Sequence, residues 1–270
     1  MKRFLLSSLA VAMSAAASHA HFPMLWHDGQ FASVNETVRL FYALGHPYEQ
    51  EYEQVDAPER VLAHRPDGSV EDLTDAVSAV TINVDGMSAP AWTFDYTTTQ
   101  AGDSVIALDA SPTLGLNFVM FQEFVKVVIH AVEQTDWDAR TGQPIEIVPL
   151  TRPYGLEAGY VFTGRLMQGD EPLEGVLIEI EQSLDRVPAI EDLPPEPIIT
   201  KAVKTGPGGV FSHTLPHAGW WIIAAEVDDI DEVDIEGEIW DRSGLAALWV
   251  YVGEPFVQTF PTRVMNWRTQ

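Results

Sequence analysis

Eight histidines and no cysteine set the chemistry open to this 270-residue chain. Without thiols, a transition metal would be held by imidazole, carboxylate, thioether or amine, and a thiol nucleophile is excluded. One histidine stands apart by its position. Met1-Lys2-Arg3, an apolar run from Phe4 to Ala17 and the small-residue exit Ser18-His19-Ala20 have the order of a secretory leader. Cleavage after Ala20 makes His21 the first residue of the exported protein, carrying an imidazole and a free α-amine that chelate together. A second histidine brought close by the fold would complete three nitrogen ligands, the arrangement called a histidine brace. Copper suits such a site, with nickel and zinc behind it. The amine has a reference pKa of about 7.7–8.0, so a metal must displace a proton and binding weakens in acid. Pro23, at the third mature position, rules out an amino-terminal Xaa-Xaa-His motif. The plainer alternative is that some residue has to follow any cleavage site.

The other mature histidines rank as second ligands by their surroundings. His46 leads, in Gly45-His46-Pro47 directly after an apolar strand, where a loop side chain can turn towards the amino terminus. Its alternative is an ordinary loop histidine. His27, in Trp26-His27-Asp28-Gly29, is near His21 in sequence and beside a carboxylate able to orient it. His217 is at a turn before Gly219-Trp220-Trp221, whereas His213 alternates with Phe211 and Leu215 and reads as a core residue. His130 shares a strand face with Lys126 and Val128 and reads as structural or surface-facing, and His64 reads as decoration of a strand end. Met24 offers a thioether, although core packing is its better account.

Charge narrows the partners. The chain has 15 basic and 40 acidic residues, and loss of the leader leaves 13 and 40. A nucleic-acid partner is implausible without a basic surface. No Gly-rich phosphate loop, Gly-x-Ser-x-Gly elbow or His-Glu-x-x-His helix is present, so conventional catalysis finds no constellation and no catalytic residue is assigned. The acidic run Asp228–Glu238 lacks the ligand spacing of a calcium loop and reads as a solvated loop or edge hairpin. In Trp220-Trp221, neighbouring side chains point to opposite faces, so at most one ring is free to stack on a ligand while the other is core.

The elements that must position these groups are β-strands. Short apolar or alternating runs between turn signals predict strands over Val34–Leu44, Ala91–Tyr96, Ser104–Ala110, Glu123–Glu133, Tyr160–Gln168, Val176–Gln182, Val210–Leu215, Gly219–Val227 and Leu245–Val252. Residues 183–199, with four prolines, predict a surface loop. The chain reads as all-β. A crowd of Pro and Gly over Pro149–Gly159 divides it into a leader (1–20), an N-terminal sandwich (21–150) and a C-terminal sandwich (151–270).

Four stretches carry a family resemblance: Ala20-His21-Phe22-Pro23, Gly45-His46-Pro47, the run from Gly142 to Leu150 reading GQPIEIVPL, and the run from Leu215 to Trp221 reading LPHAGWW. With them the chain resembles the periplasmic family catalogued as domain of unknown function 4198, formerly assigned as a NikM-type nickel transport component. The resemblance implies a two-part exported β protein associated with transition-metal uptake or handling. The second half also resembles transthyretin-like or carboxypeptidase-regulatory sandwiches, which usually support or present something else. The expectation is therefore a periplasmic, Ig-like or transthyretin-like β-sandwich protein. It binds copper, nickel or cobalt through His21 and a partner among His46, His27 and His217, and serves a membrane or outer-membrane uptake system. The competing expectation is a metal-free accessory sandwich that binds a protein or glycan. A copper oxidase is a third reading.

Overall fold

The computed structural model describes residues 21–28, 31–115 and 118–256, so residues 1–20, expected as a leader, lie outside the described residues. Almost all regular structure is β, in three sheets. The first sheet orders Phe22–His27, Thr37–His46, Met87–Thr97 and Ser78–Val84, with Glu51–Glu53 pairing the end of Thr37–His46. The second has eleven strands. Its main path runs from Lys201–Lys204 through Leu177–Gln182, Gly219–Ile235, Glu238–Gly253, Met120–Ala131 and Gly102–Asp109 to Arg60–His64 and Val70–Asp72. The third is smaller, with Ile145–Pro149, Tyr160–Gln168, Glu171–Pro172 and Val210–Leu215. No helix among the described residues is long and apolar enough to cross a membrane.

The large sheet joins the two halves of the sequence through one parallel pairing, Met120–Ala131 with Glu238–Gly253, in register from Met120 opposite Arg242 to Val127 opposite Trp249. Its central strands are buried on both faces, which explains their unbroken apolar composition from Leu245 to Val252. Ala247 and Trp249 join a core with Leu25, Leu40, Tyr42 and Phe94 of the first sheet. Ala246, Leu248, Val250 and Val252 face the other way and pack with Ile145, Ile147, Phe162 and Leu215 of the third. The shared sheet thus separates two hydrophobic cores.

Strands follow the expected runs, with differences where tertiary pairing extends them. Gly219–Ile235 and Glu238–Gly253 form one long hairpin, so of the two forms expected for the acidic segment, solvated loop or edge hairpin, it takes the hairpin. Its register slips between Val227 and Asp231, and Arg242 then grips Asp231 with Nε and Nη2 at 2.7 and 2.6 Å. That bidentate pair offsets the repulsion among the carboxylates. Residues 183–199 are largely irregular, as expected, with one short helix at Glu196–Ile199.

Lys126 lies on a face read from sequence as structural or surface-facing, yet it is 1 % exposed. Its Nζ is 2.8 Å from Glu146 Oε2. Glu146, in the Pro-Ile-Glu-Ile-Val-Pro run, also accepts from Arg140 Nε, the Thr141 amide at 3.0 Å and the Thr141 hydroxyl at 3.1 Å. Burial pushes the Glu146 carboxyl up, but the Lys126 charge and these donors outweigh it and hold it at about 2. Glu146→Ala would leave a buried ammonium uncompensated and should cost about 3–5 kcal/mol in urea denaturation at pH 7. In the wild type, the depressed pKa makes this stabilisation full above the ordinary carboxylate range and lost as pH falls towards 2.

Candidate functional site

The antiparallel register of the first sheet brings the two leading histidines together. Phe22 lies opposite Gly45, which places His21 opposite His46 and both side chains on one face. Their ring centroids are 4.6 Å apart, tilted by 48°. His46 is the last residue of its strand, opposite Glu51, and so is not in a loop as the sequence suggested. The strand runs on because Gly45 permits it: a Cβ there would sit 2.0 Å from the Glu51 carbonyl oxygen. Glu53 stands on the same face, opposite Leu44. Its Oε1 is 3.0 Å from His21 Nε2, and both groups are partly exposed.

The turn after His46 is fixed by the second half of the chain. Tyr48 donates its amide to Glu181 Oε1 at 3.0 Å, and Leu184 donates to the Pro47 carbonyl at 3.1 Å. The Gln50 amide reaches the Pro47 carbonyl at 2.6 Å and Ser183 Oγ at 3.1 Å. The turn is therefore clamped at its base.

The other two expected ligands do not join this pair. His27 shares the face of His21, but it is six residues along the strand, about 20 Å at strand rise. It is 5 % exposed, with its ring edge-on to Trp220 at 5.3 Å, and burial lowers its pKa despite Asp28. His217 is exposed, at the turn before Gly219, and its carbonyl accepts from Trp221 Nε1 at 2.9 Å. Among the described residues, no three His, Cys, Asp or Glu side chains form a group able to hold a metal. The further nitrogen ligand expected from the sequence is the α-amine that cleavage after Ala20 would give His21.

Some polar clusters had no signal in the sequence. Asp103 Oδ1 is 2.6 Å from His130 Nδ1, while Oδ2 accepts from the Tyr154 hydroxyl and the Thr135 amide, both at 2.8 Å. His130 stacks on Tyr154 with centroids 4.2 Å apart. This dyad is made between strands 27 residues apart, a separation no local motif encodes. Buried Glu181 is another such group, visible only once the Tyr48 turn and Thr200 close over it.

The family described as "Domain of unknown function (DUF4198)" matches residues 18–229, which include both histidines and the clamp on their turn. The chain belongs to the DUF4198 family. No curated protein sequence matches this DUF4198 chain. Among solved structures it is similar to the D0-D1 domain of intimin, at 11 % identity and a TM-score of 0.22, covering 85 % of this chain and 98 % of that one. It is also similar to the fibronectin(III)-like modules of Clostridium thermocellum CbhA, at 8 % identity and a TM-score of 0.23, covering 88 % of this chain and all of that one. Salmonella alpha-2-macroglobulin reacted with methylamine gives 12 % identity and a TM-score of 0.23, over 85 % of this chain and 15 % of that one.

Burial, with lesser contributions from nearby Glu49 and Glu196, pushes the Glu181 carboxyl up to about 7, against the opposing hydrogen bonds from Thr200 and Tyr48. A carboxyl raised in the fold stabilises most below its ordinary pKa, and that contribution fades as pH rises through about 7. Glu181→Gln should therefore gain on wild type between pH 5 and pH 8, by on the order of 2 kcal/mol in urea midpoints. An offset constant across that range would refute the assignment.

Proposed function

We propose that this chain is exported, sheds a leader ending at Ala20, and binds a transition-metal ion through the His21 α-amine and imidazole together with His46. The observation that carries the reading is the 4.6 Å approach of the two imidazoles on one sheet face, with His21 Nε2 against Glu53. The amine and Nδ1 of a terminal histidine close a six-membered ring on a metal, whereas Nε2 cannot do so. A carboxylate that accepts from Nε2–H leaves Nδ1 unprotonated, so Glu53 favours the chelating tautomer. His46 then supplies the third nitrogen, held by the clamped turn. The all-nitrogen set favours copper, with nickel and cobalt as the other candidates. The proposed location is the periplasm, and the proposed role is to deliver or buffer the ion for a membrane or outer-membrane uptake system. A metal-free accessory sandwich that binds a protein or glycan is the competing reading.

Calorimetric titration of copper and nickel into protein secreted with its native leader, its amino terminus checked by mass spectrometry, separates the two. Tight binding is expected, lost when one Ala precedes His21, weakened about 10–100-fold by Glu53→Gln if that residue orients the ligand, and weakened as pH falls below the amine pKa of about 7.7–8.0. Equal binding with and without the extra Ala, or no binding by either protein, would favour the accessory reading.

A further inference from the structure

A second site lies beside the same edge strand. Met24 and Trp26 alternate with the His21 face and form one wall of a cleft of about 640 Å³. That volume falls in the range of roughly 300–1,000 Å³ typical of small-molecule sites. The opposite wall comes from the second half of the chain, at Gln182–Asp185, Ala218–Trp220 and the end of the Glu238–Gly253 strand.

The lining is aromatic and acidic. Trp26 stacks on Phe41, with centroids 5.7 Å apart and planes at 23°. Across the cleft, Trp220 stands nearly at right angles to Tyr251, at 5.4 Å and 77°, and at 64° to buried Trp249. Trp220 and Tyr251 are both partly exposed, so a guest in the cleft can touch two aromatic rings set at an angle, which a flat stacking platform does not provide. Asp85, Asp185 and Glu254 are exposed residues of the lining, and among the described residues that line it there is no Lys, Arg or His. An anionic guest would meet only repulsion.

The polar groups at the cleft are also unevenly disposed. The Gln50 amide donates to the Pro47 carbonyl and Ser183, the Tyr52 hydroxyl donates to Gln50 Oε1 at 2.9 Å, and the Gln182 amide donates to the Ala218 carbonyl at 2.8 Å. These donors are engaged within the protein, and the charged groups the lining presents to a guest are the carboxylates of Asp85, Asp185 and Glu254. A cation is served by π faces and carboxylates together.

We infer that the cleft between the first sheet and the Trp220–Tyr251 corner binds a small organic cation, an ammonium group on an apolar body, through cation–π contact with Trp220 and Tyr251 and the carboxylates of Asp85 and Asp185. The ammonium sits in the aromatic corner, where desolvated π faces hold it. The rest of the volume takes the apolar body against Met24, Trp26 and Ile82. The formal net charge of −25 enriches cations around the whole molecule, and the cleft adds the shape that selects an organic one.

The test is an NMR titration of the full chain, following the tryptophan indole N–H resonances. The probes are choline, its neutral isostere 3,3-dimethylbutan-1-ol, and the neutral saccharide maltotriose. Choline should saturate the Trp220 shift and bind about ten-fold more tightly than the isostere, the size of a partly desolvated cation–π contact. The exposed double variant Asp85→Asn/Asp185→Asn, which disturbs no core residue, should weaken choline several-fold and leave the isostere unchanged. Equal binding of choline and isostere would overturn the proposal, as would binding of maltotriose but not choline, absence of saturable choline binding, or indifference to the double variant. None of these outcomes bears on metal binding at His21, since His21, His46 and Glu53 are not among the residues that line the cleft.

Discussion

A lysine removed from water is the constraint around which this molecule is organised. Lys126 projects from the strand that joins the two halves of the large sheet, on the face that also carries Phe124, Val128 and His130. A buried ammonium is costly unless it is paired and the pair is fully hydrogen-bonded. Glu146 meets that demand only because Arg140 and Thr141 occupy its remaining lone pairs. The segment from Arg140 to Pro149 is thereby fixed against the joining strand. Further along the same face, Asp103 binds His130 and Tyr154, which pins the chain where it passes into the second half. Two polar anchors, with the small cluster of Val105, Val128 and Tyr154 between them, set how the halves meet.

That arrangement reaches the histidine pair indirectly. The joining strand aligns Glu238–Gly253, and Trp249 from it donates to the Pro23 carbonyl at 2.8 Å, holding the edge strand that begins beside His21. The next strand of the same hairpin pairs with Leu177–Gln182, which delivers Glu181 and Ser183 to the turn after His46. Both histidines are therefore positioned by residues more than 130 positions away in sequence. A site on a rigid sheet end, braced from below, keeps its ligands in place better than one on a free loop.

The edge strand Phe22–His27 serves two purposes through its period of two. One face presents His21 at the exposed end and then dives into the core at Leu25; the other presents Met24 and Trp26 to the cleft. The cleft lies between residues of the first sheet and of the Gly219–Gly253 hairpin, with buried Trp249 in its lining. Trp220 and Trp221 divide on the same principle: Trp221 is fully buried in the second core, while Trp220 turns to the cleft.

The amino-acid sequence by itself determined the β class, the positions of nine strands, the longest among them, and the division of Trp220 from Trp221, because alternation and turn residues are local properties that a strand must satisfy wherever it packs. It also singled out His21 and His46, through a leader pattern and a Gly-His-Pro run that are contiguous in the chain. It did not place Lys126 in the interior, separate His27 from His21, or choose between loop and hairpin for the acidic run. Lys126 needed Glu146 from another sheet, His27 needed the straightness of a strand to carry it away, and the acidic arm needed Arg242 across the hairpin. Whether a charge or an imidazole is tolerated, and what stands beside it, depends on partners that only register and sheet order bring within a few ångströms. Such pairings the tertiary structure alone decided.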